Sequence, residues 1–233
     1  MMDSEEQYPE VETYYNFARA LYVQGKYDEA LEYVQKALTI QLHVLGEGHL
    51  DVAMGYGIIG FILRDQGKYN EALEYFLKVL MIQLLELGKE DPAIATSYHI
   101  IGATLYAQGK YTEALEYCQK VLAIQLKVLG EEDLDVAITY HNIGFALQAL
   151  GKYNEALKYF QKALVIQLKV LGEEHSDVAR SYNNIGFTLH AQGRRDEALE
   201  NYQKSLTLWI KLVGEGHPDA AAVQKNIISC KEK

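Results

Sequence analysis

Apolar residues recur along the chain at steps of three and four, the spacing of one face of an α-helix. Between Asp51 and Asp65, five apolar or small residues follow this spacing: Val52, Tyr56, Ile59, Gly60 and Leu63. The sequence Gln-Gly-Lys at 66–68 ends this stripe, and a second one runs from about Tyr69 to Leu87 before Gly88. Glycine suits the left-handed conformation that closes many helices. The pattern therefore predicts two consecutive helices.

The pattern of this helix pair occurs five times, at a constant interval of 42 residues. The turn glycines are Gly25, Gly67, Gly109, Gly151 and Gly193, and the glycines that end each pair are Gly46, Gly88, Gly130, Gly172 and Gly214. A tyrosine keeps the same interval at Tyr14, Tyr56, Tyr98, Tyr140 and Tyr182, and we expect it in the core. A fixed period of this length marks units that bury their apolar faces by stacking on their neighbours. We therefore expect function on a surface and not in an enclosed pocket.

A sequence motif recurs within this period, and the fourth copy illustrates it. The motif Tyr-x2-Ile-Gly-x2-Leu followed by Ala-x3-Phe is formed by Tyr140, Ile143, Gly144, Leu147, Ala156 and Phe160. It resembles the tetratricopeptide signature, with Tyr in place of Trp. We expect Gly144 and Ala156 to let the two helices approach closely where they cross. The usual tetratricopeptide period is about 34 residues. The longer form here, with Leu-Gly-Glu-x-His-x-Asp-Val-Ala at 171–179, is similar to repeats of kinesin light chains and nephrocystin-type proteins.

The resemblance covers residues 10–233 and implies an all-α fold, a right-handed α-solenoid of tandem antiparallel helix pairs. We expect a flexible N-terminal segment over residues 1–9 and a single domain over residues 10–233. The predicted repeats span about 10–51, 52–93, 94–135, 136–177 and 178–218, with a capping helix over 219–231. A hydrophobic fraction of 49% and only 3 prolines suit a continuous helical domain.

Composition also limits the partners and the setting. A net charge of −10 argues against a nucleic-acid partner, because binding that polyanion requires a basic face. The chain has no signal peptide and no apolar run of membrane length, so we expect a cytoplasmic protein without a membrane partner. Its two cysteines cannot form a disulfide framework, and Cys118 lies on an apolar stripe, which predicts a buried thiol.

Two short motifs resemble chemical sites but do not predict them. Residues Gly55–Gly60 spell G-x-G-x-x-G inside a predicted helix, whereas a dinucleotide site needs a strand before this motif. His49, His175 and His217 share one connector position, which Asp91 and Asp133 fill in the other copies. Metal binding would require these histidines to converge, so we expect them to start helices instead. The sequence predicts no cofactor, no metal and no enzymatic activity.

The tetratricopeptide resemblance implies that the first helix of each pair lines a concave groove. The residues assigned to a peptide-binding groove on this basis are Tyr15, Asn16, Phe61, Arg64, His99, His141, Asn142, Phe145, Arg180, Asn183, Asn184, Phe187 and His190. Asparagine can donate and accept hydrogen bonds to a peptide backbone, and Phe and His offer flat faces to apolar side chains. The alternative is that these residues only pack between adjacent repeats.

The sequence therefore predicts a protein–protein interaction scaffold that binds an extended peptide segment. The ligand is expected to be apolar or aromatic, and neutral to acidic. The groove has no lysine for the Lys and Asn clamp of chaperone-binding domains, and few arginines for the kinesin light chain mode. Two alternatives stay open: an engineered or consensus-like array without a natural ligand, since the copies are unusually alike, and a regulatory module of a larger enzyme. The oligomeric state is also open.

Overall fold

The computed structural model describes residues 9–232, which form eleven helices and no strand. Residues 1–8, most of the predicted flexible segment, lie outside the described residues. The helices are α1 Pro9–Val23, α2 Tyr27–Leu45, α3 Leu50–Asp65, α4 Tyr69–Glu86, α5 Pro92–Ala107, α6 Tyr111–Val128, α7 Leu134–Ala149, α8 Tyr153–Leu171, α9 Ser176–Ala191, α10 Arg195–Val213 and α11 Pro218–Lys231. The helix bounds predicted from the second repeat and for the capping helix agree with these to within one residue.

The chain divides into two compact units, Met1–Tyr117 and Cys118–Lys233. In the first unit, α1 packs on α2 and α3 on α4, while α2 also contacts α3 and α4 contacts α5. In the second unit, α7 packs on α8 and α9 on α10, with further contacts from α8 to α9 and from α10 to α11. Because short turns join the two helices of a pair, the pairs are antiparallel. The predicted helix pairs are confirmed, whereas the single domain over 10–233 stays a prediction.

Local chemistry fixes where the helices begin and end. Gly67 and Gly88 have φ angles of 77° and 85°, the left-handed region in which glycine is favoured. At five helix starts, the residue before the helix accepts a hydrogen bond from the backbone N–H two residues later, and these residues are His49, Asp91, Asp133, His175 and His217. Such caps satisfy one of the free N–H groups of the first turn. The predicted helix-start role of the three histidines is confirmed.

A glycine on the first helix lets an aromatic ring of the second helix lie against the backbone. A Cβ atom built on Gly144 would come within 2.6 Å of the Phe160 ring, and one on Gly60 within 2.6 Å of the Phe76 ring. Gly186 has the same relation to Tyr202, at 2.8 Å. The sequence analysis paired Gly144 with Ala156. Ala156 is indeed buried, but the close contact of Gly144 is with the larger Phe160, one turn further along α8.

The tyrosine series forms pairs near the surface instead of a uniform core. In the first four copies the first-helix tyrosine contacts a second-helix tyrosine, with ring centroids 5.7–6.1 Å apart. Tyr140 is buried, but Tyr14, Tyr56, Tyr98 and Tyr182 are half-buried. The core prediction is therefore wrong for those four, because the rings lie at the outer edge of each helix pair.

The remaining composition-based expectations concern the cysteines and the membrane. Cys118 and Cys230 are both buried free thiols, and burial raises the pKa of the Cys118 thiol to about 11. The buried thiol predicted at Cys118 is confirmed. Within residues 9–232, no helix combines the length and the apolar character that crossing a membrane requires. The same residues contain no group of three or more His, Cys, Asp or Glu side chains placed to hold a metal ion.

The glycine contact generates a stability prediction. Gly144→Ala should lower the free energy of unfolding by about 1–3 kcal/mol, because the added methyl overlaps Phe160, which is fully buried and held by its neighbours. The matched control is Gly57→Ala, whose methyl would meet Val79 at an ordinary 3.8 Å. Alanine favours helix over glycine by about 1 kcal/mol, so this control should be neutral or stabilising. Urea titration of both variants checks the prediction, and equal losses would contradict it.

Candidate functional site

At three junctions between repeats, a glutamine of the second helix bonds to a hydroxyl of the next first helix and so positions the face that carries the predicted site. Gln83 accepts a hydrogen bond from Ser97 at 2.5 Å in the first unit. Gln125 accepts one from Thr139 at 2.6 Å in the second unit. Gln167 accepts one from Ser181 in the same way. The sequence analysis missed this series, although a glutamine every 42 residues with a hydroxyl 14 residues later was a usable signal.

Tyr15 takes the place of this hydroxyl at the first junction. Gly55 stands where the later copies have Ser or Thr, and the Tyr15 hydroxyl donates to Gln41 Oε1 at 2.6 Å. A Cβ atom on Gly55 would lie 2.8 Å from the tyrosine oxygen, so glycine makes the space for the phenol. Burial raises the pKa of Tyr15 to about 12. Tyr15 thus uses its hydroxyl inside the protein, while its neighbour Asn16 is exposed.

His141 is also engaged by the protein itself. Its Nε2 lies 2.8 Å from Ser181 Oγ, and its Nδ1 lies 3.4 Å from Asn184 Nδ2. Because the Ser181 hydroxyl donates to Gln167, it can accept from a neutral imidazole with its hydrogen on Nε2, while the Gln167 amide nitrogen lies 3.3 Å from the same ring atom. The Nδ1 atom then accepts from Asn184. Two residues of the predicted groove therefore bind each other at a junction between repeats.

The other predicted groove residues of the second unit divide by exposure. Phe145 packs edge-on against Phe160 at 5.3 Å, and Asn183 accepts a hydrogen bond from Asn226 at 2.9 Å. Arg180 is exposed, pairs with Asp177 at 3.4 Å and lies over Trp209. Phe187 keeps 49% of its surface exposed. Asn142 and His190 are half-buried.

In the first unit, Phe61 and Arg64 form a stacked pair and His99 is separate. The Arg64 guanidinium lies 4.9 Å from the Phe61 ring centroid and 3.3 Å from an Asp65 carboxylate oxygen. His99 is exposed. Of these three, only Phe61 reaches the cleft that lies between α3 and α5.

This cleft, named the α3–α5 cleft here, is open to solvent and has a volume of about 500 Å³. Its walls are almost entirely apolar. They are formed by Leu50, Ala53, Met54, Gly57, Ile58 and Phe61 of α3, by Phe76, Val79, Gln83 and Leu87 of α4 and its C-terminal cap, and by Ala93, Thr96, Ser97 and Ile100 of α5. The predicted peptide-binding groove included Phe61 of this cleft, but most of its other residues were polar ones elsewhere on the first helices.

The His141 contacts generate a pH prediction. Burial lowers the pKa of His141 below its ordinary value of 6.5, while the hydrogen bond with Gln167 and the charge of Asp177 oppose this shift. The unfolded chain therefore binds more protons than the folded one near that pH, so stability should rise with pH there and fall on acidification. Urea unfolding at about pH 7.5 and about pH 5.5 measures the loss, and His141→Gln should reduce it.

The control for this experiment is His99→Gln, which removes an exposed imidazole. It should leave the acid-induced loss of stability unchanged. The interpretation of His141 would be wrong if the two variants and the unaltered chain lost the same free energy of unfolding on acidification.

Comparison with known proteins places these junctions and surfaces in a family. The family model described as tetratricopeptide repeat matches residues 10–84, 51–127, 93–169, 135–207 and 177–227. No curated protein matches the chain. A solved structure described as a kinesin light chain of nearly identical TPR-like repeats, from Podosopora anserina, is 27% identical, with 89% of this chain and 99% of that chain covered and a TM-score of 0.77.

Two more distant structures share the fold. BtubC from P. vanneervenii is 21% identical, with 89% of this chain and 81% of that chain covered and a TM-score of 0.70. The apo form of RapI is 19% identical, with 94% and 82% covered and a TM-score of 0.74. These likenesses confirm the predicted fold class, an all-α solenoid of tandem helix pairs. With overlapping repeat matches from residue 10 to residue 227, the chain belongs to the tetratricopeptide-repeat family.

Proposed function

We propose that this protein is a scaffold that holds an extended segment of a partner protein against its first helices. Tetratricopeptide repeats typically serve protein–protein interaction and are generally not enzymes. The finer proposal concerns the place of contact: the α3–α5 cleft receives an apolar side chain of the partner. Each compact unit offers its own contact surface in this proposal.

The exposed apolar lining of the α3–α5 cleft is the observation that carries the proposal. Met54 keeps 52% of its surface exposed, and Ile58, Phe61 and Ile100 line the same cleft while remaining partly exposed. Apolar side chains gathered in a concave, solvent-filled site gain free energy when a ligand displaces the water. Burying an aliphatic side chain there is worth about 1.5–3 kcal/mol.

The floor of the cleft limits the hydrogen bonds available to a ligand. Gln83 and Ser97 line it but bond to each other, and Thr96 donates to the Pro92 carbonyl at 3.3 Å. The cleft thus selects by shape and apolar contact. In the second unit, the exposed face of Phe187 and the half-buried amide of Asn142 provide a further apolar contact and a polar one.

The charge of the ligand follows from the arginines. Arg64 and Arg180 were the basic groups expected to favour an acidic ligand, but each lies within 3.4 Å of a neighbouring aspartate carboxylate. An acidic ligand would have to compete with Asp65 or Asp177 for these guanidinium groups. We therefore favour a segment with an aliphatic or aromatic anchor and little charge beside it.

The test begins with display of random peptides against the whole chain and calorimetry with a selected peptide. Met54→Gln keeps the length of an exposed side chain but removes its apolar end, so it should weaken binding by about 1 kcal/mol, roughly fivefold, without lowering the melting temperature. Met54→Leu should retain the affinity. Asn142→Ala should weaken binding of a peptide that uses the second unit by about 1 kcal/mol.

The control for surface charge is Glu155→Gln, on the exposed side of α8. Asn184 is avoided because it also holds His141. The proposal fails if no selected peptide is sensitive to either Met54→Gln or Asn142→Ala while Glu155→Gln reduces binding.

A further inference from the structure

A second apolar surface lies on the opposite side of α4 from the α3–α5 cleft. Leu77, Met81 and Leu85 are spaced by four residues, so they follow one face of the helix. Their exposed fractions are 46%, 60% and 77%. The α4 residues that line the cleft, such as Val79 and Gln83, lie on the other face. We name Leu77, Met81 and Leu85 the α4 stripe.

The α4 stripe departs from the repeat. The position of Leu77 is glutamine in the four other second helices, and the position of Leu85 is His or Lys in all four. The position of Met81 is Thr, Ala or Val. The equivalent residues are Gln35, Thr39 and His43, then Gln119, Ala123 and Lys127, then Gln161, Val165 and Lys169, and finally Gln203, Thr207 and Lys211. An exposed stripe of three large apolar residues is thus particular to α4.

The loss of the lysine at Leu85 is matched by a loss in the preceding connector. In the second unit, Lys169 pairs with Glu132, and Lys211 pairs with Glu174, each lysine reaching back 37 residues. The equivalent of these glutamates for α4 is Gly48. Both partners of the ion pair are therefore absent here, because Leu85 replaces the lysine and Gly48 replaces the glutamate.

Acidic groups border the stripe at its other end. Glu74 lies on the stripe face, about one helical turn before Leu77. Glu32 of α2 and Glu116 of α6 share its register and are exposed like it. Lys36 and Lys78, which follow these register positions in α2 and α4, lie over tyrosine rings. Lys36 lies 4.6 Å from the Tyr33 centroid, and Lys78 lies 4.9 Å from that of Tyr75 and 5.0 Å from that of Tyr56.

We propose that the α4 stripe docks an amphipathic helix of a partner protein, with apolar residues four apart and lysine or arginine at one end. The apolar residues would cover Leu77, Met81 and Leu85, and the basic end would lie over Glu74 and its equivalents in α2 and α6. A helix in a contact of this kind is recognised through apolar side chains that lie one helical turn apart. This site is independent of the cleft proposed above.

A second copy of this chain fits the α4 stripe less well than a basic helix. Parallel pairing would place Glu74 against the same residue of the other copy, and such like-charge contacts are unfavourable. Antiparallel pairing would place Glu74 near the C-terminal end of the other α4, where the helix dipole is negative. Neither direction supplies a positive charge from the stripe itself, since Leu77, Met81 and Leu85 are all uncharged.

The experiment uses the whole chain and a synthetic helical peptide of about five turns, with leucine at three positions four apart and lysines in one terminal turn. A second peptide carries glutamate in place of lysine. Fluorescence anisotropy should detect binding of the lysine peptide, weakened by added salt. The triple variant Leu77→Gln, Met81→Thr and Leu85→Lys introduces residues that other copies already carry at exposed positions, and it should weaken binding by about tenfold or more.

Two single variants separate the contributions. Glu74→Gln should weaken binding of the lysine peptide by about two- to fivefold, as expected for an exposed ion pair. Val165→Thr in α8 is the matched control, because Val165 occupies the position of Met81 in another copy and is 65% exposed. It should leave affinity unchanged, as should Met54→Gln in the cleft. Retained binding after Met54→Gln would separate this site from the one in the proposed function.

Three results would overturn the proposal. The first is no binding of the lysine peptide to the unaltered chain, or equal binding to the triple variant. The second is equal binding of the glutamate peptide, which would refute the basic partner. The third is self-association in light scattering that the triple variant abolishes, because this would assign the stripe to a second copy of the chain.

Discussion

The contact between a first-helix glycine and an aromatic ring of its partner helix sets the geometry on which the rest of this protein depends. Gly60, Gly144 and Gly186 each face a ring of Phe76, Phe160 or Tyr202, closer than any Cβ atom would allow. The buried ring fills the space between the helices, so the pair has one closely packed arrangement. In these three pairs the first helix therefore presents the same register positions on its free face.

Polar junctions connect these pairs, and they occupy part of the first-helix surface that the sequence predicts to bind a ligand. The Gln167–Ser181 bond is buried and the Gln83–Ser97 bond is partly buried, so losing one partner would leave a polar group without its hydrogen bond. Tyr15 and His141 join the same kind of junction, whereas His99 at the same register position is exposed. Their hydroxyl and imidazole groups therefore contribute to the connection between repeats. The free apolar surface lies elsewhere, at Met54 and Ile58 in the α3–α5 cleft.

The two exposed apolar surfaces described in the first unit lie on opposite faces of α4. The cleft is concave and lined by residues from three helices, which suits a single projecting side chain. The α4 stripe follows one helix face that begins with Glu74, which suits a second helix with basic residues. A repeat array can carry both, because the residues that fix each pair and junction are distinct from those on its free faces.

The sequence by itself determined the helices, their ends and their pairing. The signals that determined them act within a few residues: glycine with positive φ, Asp or His before a helix, and apolar residues at steps of three and four. They can be recognised in one repeat, and their recurrence in five repeats strengthens the prediction. The tetratricopeptide fold followed from these local signals. The glutamine junctions were present in the sequence at the same interval, but without the structure nothing indicated which hydroxyl each would meet.

Only the tertiary structure decided which residues of the free face remain available. Tyr15, His99 and His141 occupy the same register position, and the pattern treated them alike. Tyr15 turns inward because Gly55 leaves room for it, and His141 bonds to Ser181 and Asn184, whereas His99 is exposed. The difference arises from side chains on neighbouring helices, some 26 to 43 residues away in sequence. A periodic pattern specifies the position of a residue on its helix. The space and the hydrogen-bond partners around the side chain decide the direction in which its polar atoms point.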